Sequence, residues 1–442
     1  METAKQKIGL TGAIAVIAAC MIGTGVFTSL GYQVYNEEWN AGMKSNFAIL
    51  LLWAVGGFVA LCGARVYAEL SVRIPGSGGE YNYLGKIYHP SVGFLSGWVS
   101  ATIGFAAPIA LSAMAFGGYF SKIFPGVYPM IPALVIVVGA MLVNLMGLSL
   151  SELVQKGTTY LNLFLIIVLI GCGIFIAGSA DHFTISVAAA DWKDVFSSSF
   201  AVSLVYVSYA FSGWNAVTYV AGDVKDPEKN VPKSLVWSVI LVATLYIMLN
   251  FVFLYRVPMP ELAGQVEVGA IAAKAIFGNI GEILVSGLIC LGLFASVLAM
   301  TIAGPRLTEK MGQDIKGLRF LAYKNKNAAP IVAIALQTVI AIILVLTNSF
   351  DAVLRYVGFT LAIFTTLTVF GLFVLRFIKK EQSENIPGQS IIPIIAAVIF
   401  ILLELWMVYH MLTTKTTESV AKLGTILVGL VVYFLLRNKK EE

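Results

Sequence analysis

Two short stretches of this 442-residue chain carry the residue types and spacing from which a binding site can be made. MIGTGVF at Met21–Phe27 and SYAFSGWN at Ser208–Asn215 each set a hydroxyl residue beside glycine inside an otherwise apolar run, Thr24 with Gly25 and Ser212 with Gly213. Backbone at bilayer depth leaves helical geometry only where protein or a water-filled cavity satisfies its N–H and C=O groups. An unwound segment exposes both kinds of backbone end. Free N–H groups at the start of a half-helix attract a carboxylate, aided by the positive end of the dipole, and free carbonyls at the end of the other half accept from an ammonium. A zwitterion such as an α-amino acid fits both, and neither stretch contains Asp, Glu, Lys or Arg. Small residues in spanning helices also serve close helix packing, so each stretch alone is open to that second reading. Their symmetric placement, five spans apart, argues for a site.

The elements that must position these stretches are membrane helices. The chain is 58% hydrophobic and 12% charged, with mean hydropathy +0.87, whereas a soluble domain carries roughly 25% charged residues. Runs of about 20 apolar residues predict twelve spans: Ile8–Leu30, Phe47–Leu70, Ser91–Phe120, Val127–Met146, Glu152–Ala177, Ser197–Ala221, Ser234–Leu254, Ile280–Ile302, Pro330–Leu346, Ala352–Phe377, Ile391–Met411 and Val420–Leu436. The fold class is therefore an all-α polytopic membrane protein forming one transmembrane domain over residues 1–442. Spans one to five (8–177) and six to ten (197–377) read as repeats. A repeat with an odd number of spans is inverted in the bilayer, and two further helices (391–436) stand outside it.

With the N-terminus placed inside, the inner segments hold 21 of the 29 Lys and Arg residues. The positive-inside rule then sets both termini in the cytoplasm of a multi-pass plasma-membrane protein, and the net charge of +5 calls for no nucleic acid. Cys20, Cys62, Cys172 and Cys290 all fall within spans and read as small buried hydrophobes. His89, His182 and His410 are isolated, so no metal site is expected. No nucleophile–base constellation is present either, so neither an enzyme nor a cofactor is expected. Gly79, Gly85 and Lys86 have the wrong spacing for a phosphate loop, and Pro75–Glu80 reads instead as a tight inner turn. Glu69, beside Arg65 and Arg73, reads as a structural ion pair, and Glu404 as a carboxylate inside a span.

These motifs carry a family resemblance. MIGTGVF, YAELSVRIPGSGGEYNYL at Tyr67–Leu84 and YAFSGWNAVTYVAGDVKDPEKNVPKS at Tyr209–Ser234 resemble the amino acid–polyamine–organocation (APC) superfamily of permeases. The nearest likeness is to the L-type (heteromeric light-chain) and related bacterial branch, and GPRLTEKMGQ at Gly304–Gln313 is similar more loosely. The resemblance implies the five-plus-five inverted-repeat fold of the bacterial leucine transporter and an alternating-access amino-acid carrier; the aromatic, uncharged surroundings of the breaks make a secondary carrier of neutral L-amino acids the expected function. It places the substrate carboxylate on backbone N–H groups near Thr24 and Gly25, with the Thr24 hydroxyl as an extra donor and Gly23 beside them in the site, and the ammonium on carbonyls of Met21, Tyr209, Ala210 and Ser212. Tyr209 falls at the aromatic position that closes over substrate, and Phe211, Trp214 and Asn215 complete the second stretch. Trp214 equally suits aromatic packing, and Asn215 an interhelical hydrogen bond. Asn162, where many relatives have a Lys, and Ser296 in FAS at Phe294–Ser296 are candidate coupling residues. Proton symport, sodium symport and exchange all stay open. Relatives of the L-type branch can pair with a single-span glycoprotein while bacterial ones work alone, so no obligate protein partner is expected. The competing functions are a cationic amino acid or polyamine antiporter, and a sensor or channel retaining the same fold.

Overall fold

In the computed structural model, residues 8–38, 40–146, 151–176, 182–185, 187–379, 390–414 and 416–437 are described. The topology charges Lys5, Lys7, Lys380, Lys439 and Lys440 lie outside them. In chain order the helices are α1 (Leu10–Met21), α2 (Thr24–Thr28), α3 (Asn46–Arg73), α4 (Gly79–Ile87), α5 (Pro90–Val99), α6 (Ala106–Ile123), α7 (Met130–Leu145), α8 (Ser151–Phe175), α9 (Ala189–Val195) and α10 (Ser198–Ala210). They continue with α11 (Pro227–Arg256), α12 (Met259–Leu262), α13 (Val268–Asp314), α14 (Ile331–Thr347), α15 (Phe350–Phe373), α16 (Ile392–Thr414) and α17 (Thr416–Arg437). Among the described residues there is no strand, only isolated bridges such as Ile8 with Val224.

Among the described residues seven helices are long and apolar enough to cross a membrane by length and composition, and eight if α1 and α2, bent by 41°, are one span. Four shorter apolar helices, Met130–Leu145, Ser198–Ala210, Ile331–Thr347 and Leu427–Leu436, supply the rest of the twelve expected segments in order. The outer faces are apolar. Ile131, Val135, Val138 and Leu142 form an exposed stripe along α7, as do Ile395, Val398, Leu402 and Leu405 along α16. That inside-out pattern suits hydrocarbon as the surrounding solvent.

Sequence signals for the helix ends hold locally. Ser45, Ser197 and Ser349 each accept a backbone N–H from the first turn of the helix that follows, the usual role of an N-cap serine. Asp226 takes a left-handed conformation ahead of Pro227, the first residue of α11. The inner turn at Pro75–Glu80 is built from Gly76, Gly78 and Gly79, all with positive φ.

Three features escaped the hydropathy reading. The third predicted span is interrupted by a π-helical turn at Ser100–Gly104 between α5 and α6. The eighth starts earlier than expected, at Val268, and breaks at Gly278, whose φ is +73°. Short helices α4, α9 and α12 lie between spans.

Against the core, α3 packs on α11 and α16, α1 on α11, and α13 on α6 and α8. At the end of the bundle that holds α4, Ile8 exchanges backbone bonds with Asp223 and Lys225, and Gly222 donates to Ser77. These contacts tie the start of α1, the segment after α10 and the inner turn into one layer.

Candidate functional site

At the first break α1 ends on Met21, and Ile22 and Gly23 leave helical geometry before α2 begins at Thr24. The first N–H groups of a helix have no acceptor within it, so those at Thr24 and Gly25 face out of the break. The Met21 carbonyl accepts from the Tyr246 hydroxyl of α11 at 2.6 Å, which engages one of its two lone pairs. Thr28 and Ser29 turn their hydroxyls back onto the carbonyls of Thr24 and Gly25.

The second break follows Ala210, the last residue of α10. Ser212 N–H donates to Tyr209 O at 2.9 Å and Ala216 N–H to Gly213 O at 2.9 Å. Between them Gly213 adopts φ +93°, a conformation that costs glycine nothing and an L-side chain a good deal. A 3-10 segment, Ala216–Asp223, then continues the span.

The two breaks meet directly. A Cβ on Gly25 would lie 2.5 Å from Ala210 Cα, and one on Gly213 would lie 2.9 Å from the Cys20 backbone. Thr24 Oγ1 and the Tyr209 hydroxyl are 3.4 Å apart. A Cβ on Gly23, in contrast, would meet no atom within 4 Å. The sequence placed Gly23 and Gly25 among the substrate-binding residues and left close helix packing open for each stretch; for Gly25 and Gly213 the geometry gives contact between the broken spans.

Beside the second break lies a cavity of about 110 Å³, several times the roughly 10–15 Å³ that one water needs. Of the ten candidate site residues, Tyr209, Phe211, Ser212, Trp214 and Asn215 line it, and Met21, Gly23, Thr24, Gly25 and Ala210 do not. Its other walls come from α3, α15 and α16, with Glu80, Ser208, Thr365 and Glu404 supplying polar groups that sequence reading did not assign to a site. Glu404 carried a usable signal, a carboxylate in mid-span, whereas Glu80 had been read only as part of a turn.

Two polar and aromatic layers flank this region. In one, the Tyr206 hydroxyl donates to Asp351 Oδ1 at 2.6 Å, Arg355 pairs with Asp351, and Tyr32 stacks on Phe350 at 5.8 Å. In the other, Glu80 Oε1 accepts from the Tyr67 hydroxyl at 2.8 Å and from Asn215 Nδ2 at 3.0 Å. Trp214 packs edge-on against Tyr67, with ring centroids 4.7 Å apart. Asn215 thus bonds outside its own span and Trp214 serves packing, and both also wall the cavity. Glu80 sits on α4, between spans, and burial pushes its carboxyl up to about 7 against the opposing pull of its two hydrogen bonds.

Asn162 and Ser296 lie elsewhere. A Cβ on Gly292 of α13 would be 2.5 Å from Asn162 Oδ1, and Ser296 follows one helical turn later. Both belong to the region where α8 packs on α13, and neither lines the cavity. Among the described residues no group of three His, Cys, Asp or Glu side chains is placed to hold a metal ion.

Comparison with known proteins gives this arrangement a context. The family model for amino acid permeases matches residues 8–432. The chain is 27% identical to the serine/threonine exchanger SteT of Bacillus subtilis, over 99% of this chain and 98% of that protein. It is 27% identical to the large neutral amino acids transporter small subunit 2 of Homo sapiens, over 98% of this chain and 80% of that one. To the b(0,+)-type amino acid transporter 1 of Mus musculus it is 26% identical, over 98% and 88% respectively.

Proposed function

Since this chain belongs to the amino acid permease family, we propose that it is a secondary transporter of neutral L-amino acids working by alternating access. The observation that carries this reading is the meeting of two broken spans, Gly25 on Ala210 and Gly213 on Cys20, beside a solute-sized cavity. The likeness to an exchanger and to two amino acid transporters over nearly the whole chain supports it. In the proposed site the substrate carboxylate takes the N–H groups at Thr24 and Gly25, and the ammonium takes carbonyls of the second break. Gly23 has the open space such a ligand needs. Residues 8–177 and 197–377 form the two inverted halves, with 391–436 outside them, in a plasma membrane with both termini cytoplasmic. The protein works without an obligate partner chain.

Opening and closing need two gates. The Tyr206–Asp351–Arg355 layer serves one side and the Tyr67–Glu80–Asn215 layer the other. Rocking one bundle against the rest would break these layers alternately.

Purified protein in liposomes loaded with unlabelled L-leucine is expected to accumulate external labelled L-leucine transiently and saturably. L-alanine and L-serine should compete, and L-arginine and agmatine should not. Non-saturable conductance would replace the carrier by a channel, and competition by arginine or agmatine alone would select the cationic antiporter.

A further inference from the structure

The cavity beside the second break holds one acid that the substrate reading does not use. Glu404 is the thirteenth of the 23 residues of α16, so at about 1.5 Å rise per residue it sits near the middle of its span. The residue is only 5% exposed. Its Oε2 has no hydrogen-bond partner among the described residues. The side chain lines the cavity with Ser208 of α10 and Thr365 of α15.

The charges around it are few. Glu80 from α4, Tyr209 from α10 and Tyr219 from the 3-10 segment are the other titratable groups facing the cavity. From α3 and α15 come only Gly, Val, Ala, Leu and Thr side chains, and among the described residues no Lys, Arg or His lines it. His410, on α16 itself, packs against the rings of Trp406 and Tyr409. A carboxylate at this depth with no cation beside it is costly, whereas the neutral acid is tolerated. Water entering the cavity as it opens reverses that preference. The protonation of Glu404 is thereby tied to which gate is open.

We propose that Glu404 is the proton carrier of this transporter, loading a proton while the cavity opens to one side and releasing it to the other, so that amino acid and proton move together. The proposal rests on the transporter reading and adds the coupling ion. The step is a heterolytic proton transfer: the O–H bond of the Glu404 carboxyl breaks, its electron pair stays on the carboxylate, and a water of the open cavity becomes hydronium. On the return, hydronium from the opposite side restores the acid. No oxidant or reductant is involved. Glu80 is the weaker candidate because its Oε1 is already fixed by Tyr67 and Asn215.

The test uses the full chain in liposomes with a trapped pH dye and potassium clamped by valinomycin. Adding L-leucine outside is expected to acidify the lumen. Wild-type protein that exchanges leucine without moving protons would overturn the proposal and leave the transporter reading standing, while loss of exchange as well would sink both. Glu404→Gln should lose acidification and gradient-driven accumulation but still exchange labelled for unlabelled leucine. Should Glu404→Gln be inactive in exchange too, Glu404→Asp decides: recovery of both activities supports the assignment and recovery of neither refutes it. Acidification that survives in Glu404→Gln and disappears in Glu80→Gln would place the proton on Glu80, against the proposal.

Discussion

Gly25→Val is expected to reach the membrane and to show no leucine counterflow at any substrate concentration. The added Cβ would fall 2.5 Å from the Ala210 Cα and 2.7 Å from its Cβ. Neither is the movable end of a flexible side chain, so the two broken spans must separate. Overpacking a well-filled core ordinarily costs about 1–3 kcal/mol; here the displaced atoms belong to the proposed binding backbone itself. Gly23→Ala provides the contrast. Its Cβ meets nothing within 4 Å, so the thermal midpoint should hold while the apparent affinity for leucine falls, because the methyl enters the space assigned to the ligand. Counterflow and thermal unfolding of both variants check this pair. Wild-type transport by Gly25→Val would mean that the breaks need not touch.

Glu69→Ala is expected to lower stability more than any surface substitution. Glu69 Oε1 accepts from Arg73 Nε at 2.7 Å and Arg376 Nε at 2.8 Å, and Oε2 from Arg376 Nη2 at 2.5 Å. The three side chains are at most 7% exposed. Removing the carboxylate takes away the one acid that both buried guanidinium groups share, although Arg376 keeps its bond to the Ser390 carbonyl, and breaking a buried pair costs about 3–5 kcal/mol. It also unties α3 from the π-helical turn at Val374–Ile378 that ends the tenth span. Thermal unfolding in detergent should report a clear fall in midpoint, and an unchanged midpoint would show that the arginines find other partners.

That ion pair also shows how far sequence reaches. A carboxylate at Glu69 with Arg73 one helical turn away announces a local pair, and Arg73 is indeed a partner. Arg65 was also expected beside it, but the second partner is Arg376, 307 residues further along. Nothing in linear spacing encodes a contact of that range. The same division runs through the site. Both breaks were legible because glycine and hydroxyl residues inside apolar runs are anomalies that hydropathy makes visible. The positive φ at Gly213 is a detail that the structure adds to that reading. The walls of the cavity were not legible, because Thr365, Phe400 and Glu404 come from helices whose apolar periodicity says they are in the membrane but not which neighbours they face. Tyr246 capping Met21 was hidden for the same reason. Hydropathy also passes over backbone irregularity that leaves composition unchanged, hence the unpredicted π-helical turn at Ser100–Gly104 and the break at Gly278.

An electron cryomicroscopy structure with L-leucine bound would locate the substrate within the bundle. The ligand carboxylate is expected within hydrogen-bond reach of the Thr24 and Gly25 N–H groups and its ammonium on carbonyls of Tyr209, Ala210 or Ser212. A leucine lodged instead among Thr365, Phe400 and Glu404, with α2 untouched, would contradict this placement.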